Sequence, residues 1–138
     1  MMLFKLQMKK FLKRYIFEWA DMNLPKDKVL IGLTEEVEIT GPEKSKKMVA
    51  RIDTGATKSS IDQKLAESLG LGPILRTTYI RSANGRVKRK IIRVNIKIGE
   101  KELDTEVSIA DRQYMKYKIL IGQDILKQGF LIDPAKTH

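Results

Sequence analysis

The stretch Met48-Val49-Ala50-Arg51-Ile52-Asp53-Thr54-Gly55-Ala56 decides how this chain is interpreted. Residues 48–52 form a mostly apolar run that is typical of a buried strand. The run ends at a carboxylate followed by a small hydroxyl and a glycine, which backbone amides can hold in a tight loop. Glycine lets another backbone approach closely. The same three residue types are also common in simple turns. The stretch alone is therefore compatible with a functional loop and with a simple turn after a strand.

Two further features follow Asp53 along the chain. The first is Ala83-Asn84-Gly85, which lies between strand-like runs over 76–81 and 86–98 and predicts a hairpin, because Asn-Gly accepts the positive φ angles of a tight turn. The second is Ile119-Leu120-Ile121-Gly122, a short apolar strand ending in glycine. A helical turn is predicted directly after it, over 124–128.

The remaining elements are predicted from short patterns. Strands are expected over 29–33, 37–40, 102–110, 118–121 and 130–132. A helix is expected after Asp53, because Ser60 and Gln63 have the spacing of a capping box and Gly70 is placed to end the helix. These patterns predict a mainly β domain with short helices.

In this order the motifs resemble those of the retropepsins, the retrovirus-type aspartic proteases. In that family an Asp-Thr/Ser-Gly-Ala loop is supported from behind by an apolar-apolar-glycine strand leading into a short helix, and a hairpin flap closes over the substrate. The resemblance covers about residues 29–132. Within the family, residues 50–60 and 129–136 resemble the prokaryotic group labelled ATP-dependent zinc proteases, which is associated with ribosomal-protein glutamate ligases.

The resemblance implies a fold and a set of site residues. The fold is a retropepsin-like closed β domain with a flap hairpin. Asp53 would be the catalytic carboxylate, Thr54 would brace the loop against a second subunit, and Gly55 would offer its carbonyl to substrate. The loop-support and substrate-binding residues are Thr54, Gly55, Ala56, Ile121 and Gly122, and the flap residues are Ser82, Ala83, Asn84 and Gly85.

The expected activity is peptide-bond hydrolysis by an aspartic endopeptidase. The chain contains one Asp-Thr-Gly-Ala motif, so the resemblance implies a homodimer in which each subunit supplies one aspartate. The pair of carboxylates would activate a water molecule, with no cofactor. Retroviral members have an acidic residue after this loop and an arginine after the later glycine, which form an ion pair. Here Thr57 and Gln123 stand at these positions, so both partners are neutral.

The amino-acid composition restricts the chemistry. The chain has 138 residues with 42% apolar and 32% charged residues, which is typical of one globular domain. It has no cysteine, and its only histidine is His138, so disulfides and thiolate zinc sites are excluded and Ser-His or Cys-His catalysis is disfavoured. We therefore expect no metal site, and the zinc label of the related group does not suit this chain.

The net charge of +10 indicates an acidic partner. The predicted flap lies within the segment 76–97, which has eight basic residues and no acidic one. A flap with so many positive charges would face the substrate and favour acidic peptides. Two alternatives stay open: a catalytically idle module with the same fold that binds peptides or dimerises, and a basic nucleic-acid-binding β domain. Nucleic acid is not favoured, because a central carboxylate gains nothing from phosphate. The eight basic residues between positions 76 and 97 are Arg76, Arg81, Arg86, Lys88, Arg89, Lys90, Arg93 and Lys97.

Residues 1–24 are expected to form an amphipathic helical extension to a protease domain over 25–138. Over residues 3–19, apolar side chains at helical spacing alternate with lysines, which favours packing on the domain or on a partner subunit over contact with a membrane. Met22 is an alternative start to Met1. No apolar run approaches the roughly 20 residues of a membrane span, and the basic N-terminus lacks a signal-peptide pattern, so the cytoplasm is the expected location.

Overall fold

Residues 27–137, the part of the chain that the computed structural model describes, form nine strands and two helices. The helices are α1 (Gln63–Ser68) and α2 (Gln123–Leu126). The strands are β1 (Val29–Ile31), β2 (Thr34–Thr40), β3 (Ser45–Ile52), β4 (Ser60–Asp62), β5 (Ile74–Ser82), β6 (Gly85–Ile98), β7 (Lys101–Ala110), β8 (Ile119–Ile121) and β9 (Phe130–Ile132).

Six of the strands close into a barrel. They pair in the order β2-β3-β8-β4-β7-β6, and β6 pairs back with β2. Two of these pairs, β3 with β8 and β4 with β7, are parallel. Strand β5 extends the sheet from β6, outside the closed ring, and β1 forms a separate parallel pair with β9. The mainly β, closed architecture predicted from the sequence is confirmed.

The barrel is filled mainly by isoleucine. Strand β6 shows the reason, since from Arg93 onward its exposed and buried residues alternate with the two-residue period of a strand. Burying one such side chain contributes roughly 1.5–3 kcal/mol. The isoleucines of the core that are at most 2% exposed include Ile39, Ile61, Ile92, Ile96, Ile98, Ile119, Ile121 and Ile125.

The predicted hairpin is formed by β5 and β6. Ser82 pairs with Gly85, so the connection consists of Ala83 and Asn84. Gly85 has a φ of +103°, whereas no non-glycine residue among residues 27–137 has a positive φ, so glycine alone provides the left-handed conformation. The Ser82 hydroxyl accepts a bond from the Asn84 backbone N–H and donates one to the carbonyl of Gly85.

The capping box predicted at Ser60 and Gln63 is wrong. Ser60–Asp62 is strand β4, which fills the gap between β7 and β8, and the helix begins only at Gln63. Asp62 is the residue before the helix, but its side chain makes no capping bond and instead accepts the backbone N–H of Arg112 at 2.7 Å. Tertiary pairing thus overrides the local signal. Gly70 follows the helix with a φ of +66°, as predicted.

The predicted helical extension over residues 1–24 lies outside the described residues, and so does the segment 3–19, for which membrane contact was the less favoured alternative. The same holds for the choice between Met1 and Met22 as the start, so these points and the domain boundary stay predictions. In residues 27–137, no helix has the length and apolar character that a membrane crossing requires.

Candidate active site

Asp53 is placed by the parallel pairing of β3 and β8. Ile52 is in register with Ile121, so both strands end at the same edge of the sheet. The Asp53 backbone N–H then donates to the carbonyl oxygen of Ile121 at 2.9 Å, which continues the ladder by one residue. The carboxylate therefore starts from a fixed backbone position.

The loop after Asp53, residues 53–59, is shaped by its own polar groups. The Asp53 Oδ1 atom accepts the backbone N–H of Gly55 at 2.9 Å, and the Ala56 N–H donates to the Asp53 carbonyl at 3.3 Å. Asp53 is half-buried, whereas Thr54 and Gly55 are exposed. The carboxylate thus has one oxygen oriented by the loop while the loop tip faces outward. We call this segment the Asp53 loop.

Ile121 and Gly122 lie directly behind the Asp53 loop. Ile121 is fully buried. A Cβ atom on Gly122 would lie 2.7 Å from the carbonyl oxygen of Ala56, closer than real Cβ atoms come, and 3.1 Å from the carbonyl carbon of Lys58, which is a tight contact. Glycine is required here because the two backbones touch. The sequence prediction had placed both residues at this position behind the loop.

A serine and an aspartate that sequence reasoning left out of the site anchor the end of the loop. The backbone N–H and the hydroxyl of Ser59 both donate to Asp124 Oδ1, at 2.9 and 2.7 Å. The Ser59 hydroxyl also accepts the N–H of Gly122 at 2.8 Å. The second oxygen of Asp124 has no hydrogen-bond partner in residues 27–137, and the Lys58 ammonium lies 3.6 Å from it.

Gln123 shows what has replaced the ion pair of the retroviral members. Its Nε2 donates to the backbone carbonyl of Thr54 at 2.7 Å, and its own backbone N–H donates to the carbonyl of Ala56 at 2.8 Å. A neutral amide at the start of α2 therefore still connects to the Asp53 loop, through backbone carbonyls rather than through an acidic side chain. Thr57 is exposed and lines the cavity described next.

A cavity of about 770 Å³ lies between the Asp53 loop and the tip of the β5–β6 hairpin. Of the predicted site residues it brings together Asp53, Gly55, Ala56, Ser82, Ala83 and Asn84. Thr54, Ile121, Gly122 and Gly85 do not line it. The rest of its wall includes the end of β7 and the segment between β7 and β8, residues 111–118, together with residues of β4, β5, β6 and β8. The hairpin therefore stands opposite the carboxylate, as a flap would.

Alternating charges connect the Asp53 loop to the base of the hairpin. The Lys58 ammonium lies 3.9 Å from the Glu106 carboxylate on β7, which in turn accepts hydrogen bonds from the Arg76 guanidinium on β5. The hydrogen bond from Arg76 holds the pKa of Glu106 below its usual value, and the same bond raises the pKa of Arg76.

Arg112 is a cavity residue that the sequence did not single out. Its side chain is only 9% exposed and its Nε donates to the carbonyl of Tyr117 at 2.9 Å. Burial lowers the pKa of its guanidinium, with Arg51 and Arg89 acting in the same direction and Asp62 and Asp53 opposing them. A buried cation that follows a strand end gives no local signal, because only the fold brings it beside Asp53.

The described residues do not fit a zinc ion held by the protein. In residues 27–137 no three His, Cys, Asp or Glu side chains lie where they could share one ion. One oxygen of Asp53 is already engaged by the Gly55 N–H.

Two curated proteins match part of the chain, and both are named "Probable alpha-L-glutamate ligase". The one from Parasynechococcus marenigrum is 28% identical over 67 residues, and the one from Desulfotalea psychrophila is 28% identical over 64 residues. These matches cover 48% and 46% of this chain but only 14% of either relative. The chain thus spans a small part of the proteins that carry this name.

Solved structures resemble the fold over a larger share of this chain than the curated proteins match. The EIAV protease complexed with the inhibitor HBY-793 is 25% identical with a TM-score of 0.56, covering 76% of this chain and 89% of that protease. A protein of unknown function from Legionella pneumophila is 20% identical with a TM-score of 0.54, covering 79% and 95%. The Simian Foamy Virus protease is 21% identical with a TM-score of 0.50, covering 68% and 91%. The last two likenesses concern the fold alone.

A protein-family model extends the likeness to the sequence. The model described as "gag-polyprotein putative aspartyl protease" matches residues 37–128. The match includes the Asp53 loop, the β5–β6 hairpin and the Ile121-Gly122 support, which are the features that form the cavity and its surroundings. The chain belongs to the gag-polyprotein aspartyl protease family.

Proposed function

We propose that this protein is a homodimeric aspartic endopeptidase of the cytoplasm in which Asp53 is the catalytic carboxylate. The observation that carries the proposal is the position of Asp53, half-buried at the cavity wall opposite the hairpin, in a loop that orients one of its oxygens through the Gly55 N–H. The second oxygen is left for chemistry. Membership of the family and the likeness to viral proteases support the same activity.

The mechanism needs two Asp53 side chains at a twofold axis. Two neighbouring carboxylates cannot both ionise at low cost, so the pair shares one proton. The ionised member takes a proton from a water molecule, whose oxygen attacks the scissile carbonyl carbon while the protonated member donates to the carbonyl oxygen. The resulting tetrahedral intermediate then breaks its C–N bond. The protonated carboxyl gives its proton to the leaving amine nitrogen, and the other carboxylate takes a proton from a hydroxyl of the intermediate, so that an amine and a carboxylic acid leave and the pair again holds one proton.

The dimer follows from the single copy of the motif and from the exposure of its loop. Thr54 and Gly55 are exposed at the loop tip, and Thr54 does not line the cavity. In the proposed dimer Thr54 meets the same loop of the other subunit. A twofold interface places identical residues against each other, so one aspartate per chain yields the pair.

We further propose a preference for acidic peptides. Arg81, Arg89 and Arg112 line the cavity, and in a partly dehydrated cleft their charges act more strongly than in water. The name of the partly matching relatives, alpha-L-glutamate ligase, refers to glutamate chemistry and supports this direction. The ligase activity itself is not part of the proposal, because the match covers 14% of those proteins.

Replacing Asp53 with asparagine tests the mechanism. Asp53→Asn should lower peptidase activity by at least about a thousandfold, because a neutral amide can neither share the proton nor activate water. The fold should persist, since the asparagine oxygen can still accept the Gly55 N–H. Cleavage of a Glu-containing fluorogenic peptide and the unfolding temperature are the measurements.

Two controls sharpen this test. Asp104→Asn, which removes a carboxylate exposed on β7 and paired with Arg93, should leave the rate within about twofold. A metal chelator should not change the wild-type rate. Retained cleavage in Asp53→Asn would rule out the aspartic mechanism, and loss of the wild-type rate with the chelator would restore a metal-dependent one.

A further inference from the structure

The side chain of Arg112 is fixed at the cavity by its own loop. Its backbone N–H donates to Asp62 Oδ1, and its Nε donates to the carbonyl of Tyr117. The Lys118 ammonium donates to the backbone carbonyls of Arg112, Gln113 and Met115, which closes the loop around it. The guanidinium is therefore held in place before any ligand arrives, so binding would cost little conformational entropy.

The guanidinium keeps most of its hydrogen-bonding capacity unused. An arginine has five N–H donors in a planar fork. Within residues 27–137, Nε is the guanidinium nitrogen that has a hydrogen-bond partner, which leaves the four N–H groups of the two terminal nitrogens available. Arg112 is only 9% exposed, but its terminal nitrogens are not sealed off from solvent, because the buried side-chain atom without a hydrogen-bond partner in residues 27–137 is Asp124 Oδ2. Arg112 lines the cavity, so a ligand there could take the place of water at these N–H groups.

The surroundings compensate its charge incompletely. Asp62 and Asp53 attract the guanidinium, while burial and two further arginines, Arg51 and Arg89, act against its charged form. The net effect lowers the pKa of Arg112, so the charged state is less stable here than in water. An anion bound at the cavity would supply the missing compensation. Lys58, another cation at this cavity, already lies near Asp124 and Glu106.

We propose that Arg112 binds a carboxylate of the substrate beside Asp53 and is the residue that determines the preference for acidic peptides. The planar fork matches the two oxygens of a carboxylate, and Arg112 lines the same cavity as Asp53 and the hairpin tip. This inference rests on the proposed peptidase function. The carboxylate is either an acidic side chain or the C-terminus of the peptide, and the test separates these sources.

A double-mutant cycle between protein and peptide tests the contact directly. One fluorogenic peptide carries glutamate near the scissile bond, and its pair carries glutamine; both have blocked ends. Wild type should cleave the glutamate peptide with a kcat/KM at least about tenfold higher, mainly through KM, because hydrogen bonds between charged groups are the strong ones. Arg112→Gln should remove most of this ratio. Arg112→Lys, which keeps the charge without the fork, should retain part of it.

The matched control is Lys116→Gln. It removes one positive charge from the same loop, but Lys116 is exposed and does not line the cavity. The ratio between the two peptides should change by less than about threefold in this variant. A third peptide, with glutamine near the scissile bond and a free C-terminus, identifies the source: preference for it over its blocked form assigns the site to the terminal carboxylate.

Three outcomes would overturn the inference. If Arg112→Gln lowers kcat/KM by the same factor for both peptides, the role of Arg112 is only structural. An equal effect of Lys116→Gln would mean that overall charge, rather than this site, sets the preference. If wild type cleaves no peptide, the proposed function fails by itself. Binding of labelled penta-glutamate and penta-glutamine to Asp53→Asn, with and without Arg112→Gln, then decides the inference independently, and equal affinities would refute it.

Discussion

At the scale of single residues, the support of Asp53 depends on a serine outside its own motif. The Ser59 hydroxyl donates to Asp124 and accepts from the backbone N–H of Gly122, and Ser59 has no exposed surface. Removing this hydroxyl would leave the buried backbone N–H of Gly122 without its acceptor, and Asp124 Oδ1 would lose one of its donors. Such losses typically cost about 1–3 kcal/mol. The same bonds fix the end of the Asp53 loop, so stability and activity should fall together.

Ser59→Ala is therefore expected to lower the free energy of unfolding by about 1–3 kcal/mol and to reduce kcat more than it raises KM. Denaturant unfolding and peptide cleavage measure the two effects. Ser68→Ala is the matched control, because Ser68 is an exposed serine whose hydroxyl donates to the carbonyl of Leu65, its one hydrogen-bond partner among residues 27–137. It should change stability by no more than about 0.5 kcal/mol. Equal effects of both substitutions would contradict the role given to Ser59.

The sequence reveals contiguous site residues better than distant ones. Asp53 to Ala56 form one run after an apolar strand, which is why the run could be singled out. Ser59 and Asp124 meet across 65 positions, and no local pattern announces such a contact. Asp124 lies in the first turn of α2, where its side chain accepts the two bonds from Ser59. Arg112 was missed because its contact with Asp62 and its place at the cavity arise from the fold, not from neighbouring residues in the sequence.

At the scale of elements, the β5–β6 hairpin divides its positive charges into different tasks. Arg76 pairs with Glu106 and Arg93 with Asp104, so these two charges are neutralised by β7. Arg86 lies over the ring of Tyr79, with 4.9 Å to its centroid. Arg81 and Arg89 line the cavity. The whole +8 charge of the segment thus overstates what a substrate in the cavity would meet.

Two double variants with the same change in net charge test this division. Arg81→Gln with Arg89→Gln should raise KM several-fold for an acidic peptide, because both charges lie at the cavity. Arg86→Gln with Lys88→Gln should have a smaller effect, since neither residue lines it. The KM values of the two double variants are measured by steady-state kinetics at two salt concentrations. The difference in KM between them should be smaller at high salt, because salt screens the charges.

Equal effects of the two double variants on peptide cleavage would remove the cavity argument. A nucleic-acid-binding hairpin would behave differently again. It should lose affinity for DNA or RNA in both variants, because each removed charge could contact a phosphate. Its binding should also depend steeply on salt concentration.

The elements could be predicted where local signals act alone. The hairpin and the strand that leads into Gly122 each combine a glycine with a simple apolar pattern, and both are present. Strand β4 could not be predicted, because Ser60 to Asp62 carry a plausible helix start. Their conformation is decided by β7 and β8, which leave a gap that an extended segment fills.

At the scale of the whole molecule, barrel closure explains why Asp53 and its supports meet. The parallel pairing of β3 with β8 joins segments from opposite halves of the chain, and the pairing of β2 with β6 closes the ring. The order of motifs along the sequence pointed to this fold through family resemblance. Strand pairing over such distances does not follow from propensity or period, which describe only neighbouring residues.

The central claim, one catalytic aspartate from each of two chains, is tested most directly by mixing subunits. Wild type and Asp53→Asn are combined at constant total concentration, allowed to exchange, and assayed for peptide cleavage. If a working site needs both Asp53 carboxylates, activity falls with the square of the wild-type fraction, so an equal mixture keeps about one quarter. A linear fall to about one half would contradict the account, because it would mean that each subunit carries a complete site.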